Sequence, residues 1–135
     1  MIKKFYLDPI ITEGKPGALI NLNINEICSK NDITFNPNHI FYLNDLNSIE
    51  ARGNHSNSNA KEMLFCLQGN FDIYLLDGTV EHSYNIKQNE LIFIPNNVWI
   101  EINNFKNCVI LAYVEIFTEK KKSIYSLEEY KNLNN

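Results

Sequence analysis

Short runs rich in Ile, Val, Phe, Tyr and Leu occupy positions 18–22, 39–43, 62–67, 71–76, 80–86, 91–94, 99–102 and 108–116. Turn-forming residues separate them: Gly14-Lys15-Pro16-Gly17, Asn36-Pro37-Asn38, Gly53-Asn54, Gly69-Asn70, Asp77-Gly78, Pro95-Asn96-Asn97 and Asn103-Asn104. Gly, Asn and Asp tolerate the positive backbone angles of tight turns, and Pro fixes its own angle in advance. Runs of this length, spaced about ten residues apart, predict the strands of a sandwich or barrel. Asp77-Gly78 lies between two of them and predicts a tight hairpin. Only 126–133 reads as a helix, with Ser126 as its N-cap and Glu129 three residues later. Positions 47–61 are polar and rich in Asn and Ser, the pattern of a long loop, and long loops in small domains often carry function. Leu91-Ile92-Phe93-Ile94 and Val109-Ile110-Leu111-Ala112 do not alternate. Both faces of those strands are therefore expected to be covered, by another sheet or by a partner subunit, which points to a homodimer.

The chain has 135 residues, enough for one domain spanning 1–135 with a core of its own. With 16 acidic against 12 basic side chains the net charge is −4, and the one basic run, Lys120-Lys121-Lys122, reads as a solvated turn. That balance excludes the dense Lys and Arg needed to bind a nucleic-acid backbone. At 44% hydrophobic and 12% aromatic residues the chain is too rich for disorder. Cys28, Cys66 and Cys108 form no close pair, and the last two sit in apolar runs, so they are expected to be buried thiols rather than disulfides or zinc ligands. Lys3 and Lys4 imitate the start of a secretory leader, but Asp8, Pro9, Thr12 and Glu13 interrupt any apolar stretch after them. No window has the ~18 apolar residues of a membrane helix. The expectation is a cytoplasmic protein without membrane contact.

Of the three histidines, His39, His55 and His82, the informative one is His55. It lies in Gly53-Asn54-His55-Ser56-Asn57, followed by Glu62 and then Gly69. This spacing resembles the first cupin motif, G…HxH(x3–4)E(x6)G, with Asn57 in the place of the second His. The stretch from Asn89 through Pro95, Asn97 and Ile100 to Asn104 resembles the second motif, with Ile100 where a ligand His would stand. A cupin metal site uses three imidazoles and one carboxylate. This chain keeps His55 and Glu62, and two such ligands do not hold a transition metal at cellular levels. No metal is expected, so the site must work by acid–base chemistry or by binding.

The wider stretch is more specific. Ala51-Arg52-Gly53-Asn54-His55-Ser56-Asn57, Leu64-Phe65-Cys66-Leu67-Gln68-Gly69 and Leu76-Asp77-Gly78 resemble the dTDP-sugar 3,4-ketoisomerases, the WxcM-like cupins. That family's signature runs RGxHAHK, then QxLxCxxG, then a DG hairpin. Upstream, the run from Thr34 to Leu43 resembles its PFxIKRVYYI strand; downstream, Pro95-Asn96-Asn97-Val98-Trp99 resembles its GPxxWH turn. The resemblance covers residues 17–117. It implies an all-β fold, a cupin-type β-jelly roll (double-stranded β-helix) with a short C-terminal helix. It also implies a cytosolic homodimer without a metal or organic cofactor. The implied reaction converts dTDP-4-keto-6-deoxyglucose to a 3-keto-6-deoxyhexose, which feeds the synthesis of 3-amino sugars. Relative to the signature, His55 and Arg52 are kept, Asn57 replaces the second His, Ser58 replaces Lys, Glu62 replaces Gln, His39 replaces the strand Arg, and Ile100 replaces the His after Trp.

Moving a carbonyl from C4 to C3 requires a base near neutral pKa and hydrogen-bond donors aimed at the developing enolate oxygen. His55 is the expected base. Asn57 and a tyrosine, Tyr42 or Tyr74, are the candidates for polarising the ketone. Arg52 suits the diphosphate, and Trp99 or Phe41 could stack on the sugar or thymine. Alternatives stand beside these roles. Arg52 reads equally as a loop cation, and Glu62 as a solvated strand residue. His39 could be a satisfied strand histidine or a substrate contact, and Trp99 core or platform. Tyr125, Glu128, Glu129 and Tyr130 read as a docking helix without chemistry. Two other functions remain open: a non-catalytic cupin that binds a nucleotide sugar, and a 3,5-epimerase using Asp72 and Tyr74.

Overall fold

A computed structural model of the chain describes residues 1–46, 51–118 and 123–134. Its strands are β1 (Lys3–Tyr6), β2 (His39–Leu46), β3 (Arg52–Asn57), β4 (Ala60–Asp77), β5 (Val80–Lys87), β6 (Glu90–Ile94), β7 (Val98–Ile116) and β8 (Ser123–Ile124). Its helices are α1 (Ile24–Asn31) and α2 (Leu127–Leu133). All pairings are antiparallel, in the order β1-β6-β4-β7-β3-β8, with β2 added to β7 and β5 to β4. This is the jelly roll expected from the sequence, with α2 at its C-terminal end.

β4 and β7 are the two long strands, and they pair with each other along most of their length. One end of the pair carries β6 and β2, the other β5 and β3. Between the ends the register slips at Cys66/Gln68, Gln68/Asn70 and Asn70/Asp72. Gly69 (φ 72°) on β4 and Asn104 (φ 53°) and Asn107 (φ 47°) on β7 take the left-handed region there. Gly69-Asn70 and Asn103-Asn104, expected to end strands, instead bend them. Extra residues inside a ladder raise the local twist and fold the sheet over on itself. The gap at Gly69 leaves no choice of residue: a Cβ there would lie 2.0 Å from the Lys106 carbonyl oxygen.

Alternation sorts side chains into an inside and an outside. Leu64, Cys66, Ile73, Leu75, Ile92, Ile94, Ile100, Ile102, Ile110 and Ala112 fill the cup. Met63, Phe65, Leu91 and Phe93 face outward, under Ile27 and Cys28 of α1 and under Ile33 and Phe35. The second face of the unbroken run at 91–94 is thus covered by this chain's own helix, not by a partner. That helix was not expected. Asn23 caps it by accepting from the Glu26 N–H at 3.2 Å, Lys30 pairs with Glu26 at 2.8 Å, and Asp32 ends it in the left-handed region. Positions 18–22 form no strand, only an isolated bridge from Ile10 to Leu19.

The expected loop at 47–61 is different in kind. Residues 47–50 lie outside the described residues, as does the Lys120-Lys121-Lys122 run, but 52–57 form β3 and 60–61 open β4. The Asp77-Gly78 hairpin is present, with Asp77 paired to Val80. Ser126 caps α2 by accepting from the Glu129 N–H at 3.2 Å. α2 is anchored by Tyr130, 1% exposed, which packs on Trp99 and accepts from the Gly78 N–H at 2.9 Å. Cys28, Cys66 and Cys108 are buried free thiols.

Candidate active site

β3 brings chemistry to the cup through one irregularity. Gly53 (φ 86°) and Asn54 (φ 51°) form a bulge, so the register runs Arg52 to Ile102, Gly53 to Glu101 and His55 to Ile100. Ile100 and Ile102 point inward, and cross-strand partners share a face. The extra residue therefore puts both Arg52 and His55 on the inner face, three positions apart, where plain alternation would separate them. Asn57, two residues after His55, follows it inward. Gly53 passes close to β7: a Cβ there would lie 2.9 Å from the Ile100 carbonyl oxygen.

Glu62 comes to the same rim from β4. It is paired on both sides, to Ile94 and to Val114, so it belongs to a central strand and faces inward. His55 Nε2 lies 3.9 Å from Glu62 Oε1, with the two side chains 22% and 17% exposed. The carboxylate holds the imidazole's pKa above its ordinary value; at this separation it does so by charge across a short gap rather than through a tight hydrogen bond. Burial works against the rise, and the Gly53 carbonyl, accepting from the ring, adds to it. Asn57 Oδ1 accepts from Ser123 Oγ at 2.6 Å, which turns its amide N–H groups to donate elsewhere. His39, on β2 opposite Val114, lies with its Nδ1 2.8 Å from Asn38 Oδ1. His39, Asn57, Val114 and Ile116 are among the residues lining a hollow of about 200 Å³ at this mouth; His55 and Glu62 do not line it but stand beside it, His55 two residues from Asn57 and Glu62 across the ladder from Val114. A larger hollow of about 440 Å³ lies between β1 and α1, lined by neither His39 nor Asn57. We place the candidate site at the cup mouth, where the His55–Glu62 pair adjoins the smaller hollow.

Three of the sequence candidates belong elsewhere. Tyr42 pairs with Leu111, whose side chain faces the α1 side, so Tyr42 points away from His55 and is 64% exposed. Tyr74 is on the outer face too, donating to Glu81 at 3.0 Å; burial first, then the Glu81 carboxylate, pushes its pKa up. Trp99 is core rather than platform: it is 2% exposed, packs with Tyr130, and donates from Nε1 to Glu101 at 2.9 Å. Strand parity decides all three, since each sits an odd step from an inward neighbour. Asp72, the partner an epimerase would need, is also outside, accepting from Asn85 and Asn104 at 2.9 and 2.8 Å. Phe41 does face inward, opposite Ala112.

One residue was missed. β8 pairs with β3 through Ser56–Ile124 and Asn57–Ser123, and the next position on that line sets Tyr125 beside His55. Their ring centroids are 6.4 Å apart at 41°. Nothing local in the sequence signals this, because it depends on a pairing between distant segments. Among the described residues no three His, Cys, Asp or Glu side chains converge, and the position opposite His55 is Ile100, which has no ligand atom.

The model of the family described as "FdtA: WxcM-like, C-terminal" matches residues 12–135. The chain belongs to this family. Among relatives of this FdtA-type chain is the TDP-4-oxo-6-deoxy-alpha-D-glucose-3,4-oxoisomerase of Aneurinibacillus thermoaerophilus. It is 22% identical over 117 residues, 85% of this chain and 81% of that protein. A 3,4-ketoisomerase from Helicobacter canadensis is 25% identical and superposes with a TM-score of 0.82 over 99% of this chain and 97% of its own. A His-to-Asn variant of the 3,4-ketoisomerase QdtA from Thermoanaerobacterium thermosaccharolyticum, solved with TDP-4-keto-6-deoxyglucose, is 22% identical. It matches with a TM-score of 0.78 over 98% of this chain and 93% of its own.

Proposed function

We propose that the chain is a nucleotide-sugar 3,4-ketoisomerase that converts dTDP-4-keto-6-deoxyglucose to a dTDP-3-keto-6-deoxyhexose without a metal. The product would supply 3-amino-3,6-dideoxy sugars for a surface polysaccharide. The observation that carries this reading is the His55–Glu62 pair inside the cup mouth, 3.9 Å apart. An inward imidazole with a raised pKa can take a proton from one sugar carbon and return it to the next, since C3 and C4 are adjacent. Asn57, oriented by Ser123, donates to an oxygen of the developing enediolate. Arg52, on the same face, binds the diphosphate. His39 lines the hollow where the sugar enters.

Family membership and the catalogue of ketoisomerases among its relatives support the same assignment. With Asp72 and Tyr74 both turned outward, the epimerase reading loses its two residues. The protein is read as a cytoplasmic homodimer; β2 is an edge strand whose outward Ile40 and Tyr42 are 60% and 64% exposed, available to a second copy.

The test is incubation with dTDP-4-keto-6-deoxyglucose in heavy water. Deuterium at C3 or C4 with formation of the 3-keto sugar is expected, and His55→Asn should abolish both. Binding without any exchange would leave only a sugar-binding cupin, and label at C5 would mean an epimerase.

A further inference from the structure

The reaction moves two protons, and the groups named so far handle one. A 4-keto sugar becoming a 3-keto sugar must also lose the hydroxyl proton on O3 and gain one on O4. That transfer needs a neutral hydroxyl able to donate and accept at the same rim as His55. Of the chain's seven tyrosines, Tyr42 and Tyr74 face outward, Tyr113 packs on Phe65 beneath α1, and Tyr130 is buried against Trp99; Tyr6 stands on β1 opposite Glu90, and Tyr84 faces the cup core from β5 but stacks on His82 rather than beside His55. The Ser123 hydroxyl is committed to Asn57. Phe41, inward on β2, has no hydroxyl.

Tyr125 is the exception. Its ring stands against His55 and is nevertheless 69% exposed. A ring so open contributes little to packing, yet its backbone is held on both sides. Before it, Ser123 and Ile124 are laddered to Asn57 and Ser56; after it, Ser126 caps α2, which Tyr130 fastens to the barrel. An exposed phenol on a fixed backbone at the mouth of a cup is placed for a ligand.

We propose that Tyr125 is a catalytic residue of this site, its phenol relaying the hydroxyl proton between the two sugar oxygens while His55 moves the carbon-bound one. This rests on the ketoisomerase reading above. His55 takes the C3 proton; the C3–H electrons become the C3=C4 bond, and the C4=O π pair moves onto O4. The Tyr125 O–H gives its proton to O4, and the phenolate takes the proton from O3. The O3–H pair then forms C3=O, and the C3=C4 pair takes the proton from His55 at C4. Both side chains end as they began.

Tyr125→Phe keeps the ring and removes the relay. In heavy water the variant should still exchange the C3 proton, because the enediolate can be reprotonated where it arose. Product formation should fall at least about tenfold, so the ratio of C3 label in recovered substrate to product rises by a similar factor. A loss of β8 docking would lower exchange and turnover together. The relay is overturned if Tyr125→Phe isomerises as fast as the parent, or if exchange and turnover fall in parallel. A parent chain that neither exchanges nor isomerises overturns the ketoisomerase reading instead, and the relay with it.

Discussion

His55 sits directly across the ladder from Ile100 on β7. The imidazole therefore rests on an apolar neighbour on one side and faces Glu62 on the other, at 3.9 Å. The carboxylate dominates the environment of the ring and favours its protonated form.

From that pair follows a pH dependence. His55 acts as base only when neutral, so kcat/KM should rise with pH through its raised pKa. Glu62→Gln should move that limb to lower pH, as a rate profile would read directly; an unmoved limb would separate Glu62 from the base. Stability runs the other way. A histidine whose folded pKa lies above its unfolded value of about 6.5 adds stability that is fully present below that pH and lost as pH rises through the folded value. Denaturant unfolding of the parent and of His55→Asn should therefore differ more at pH 6 than at pH 9.

The bulge at Gly53 should matter for aim more than for folding. Gly53→Ala forces a left-handed residue and a contact of 2.9 Å with the Ile100 carbonyl oxygen. Activity is expected to fall at least about tenfold with a stability loss of only about 1–3 kcal/mol. Turnover measured beside thermal unfolding separates the two effects.

Gly69→Ala should behave differently. Its Cβ would lie 2.0 Å from one backbone oxygen and 2.5 Å from another, and neither strand can step aside. A loss of at least about 3 kcal/mol is expected, with poor yield of folded protein. A folded variant with unchanged melting would mean that the bend at this point is not required.

Trp99→Phe tests the division between inside and outside. Lying under α2 with its Nε1 donating to Glu101, Trp99 should cost about 1–3 kcal/mol on substitution and leave KM unchanged. A raised KM at unchanged melting would return Trp99 to the substrate.

Arg52→Ala should raise KM for the nucleotide sugar roughly tenfold or more, the loss of about one charge-assisted phosphate contact. The free sugar, lacking diphosphate, should not distinguish parent from variant.

Much of this is legible in the sequence. Asp77-Gly78 names its hairpin, Ser126 and Glu129 their helix cap, and the spacing from Gly53 through His55 and Glu62 to Gly69 the cup. What was misread has physical causes. Gly69 and Asn103-Asn104 signal left-handed backbone, and that signal is the same for a turn and for a bulge inside a strand. β3 is Arg-Gly-Asn-His-Ser-Asn, with no intrinsic preference for a strand; it becomes one because β7 offers it a ladder. α1 has only two buried residues, Ile27 and Cys28, too few for a periodic signal. Residue type suits Tyr42 and Tyr74 to the chemistry, and the turn at Pro95 suggests Trp99, while the face each occupies depends on strand parity set by bulges elsewhere.

Among the described residues, β7, 19 residues long, is the sole ladder partner of β2, and β3 pairs only with β7 and β8. Every one of those partners emerges from the ribosome after the strand it will hold. During synthesis the segment bearing His55 must therefore wait as unstructured polypeptide until the C-terminal third arrives, so catalytic competence is a late and collective event. Long-range closure of this kind is slow, and it leaves Ile40, Phe41 and Tyr42 open to chaperones in the meantime.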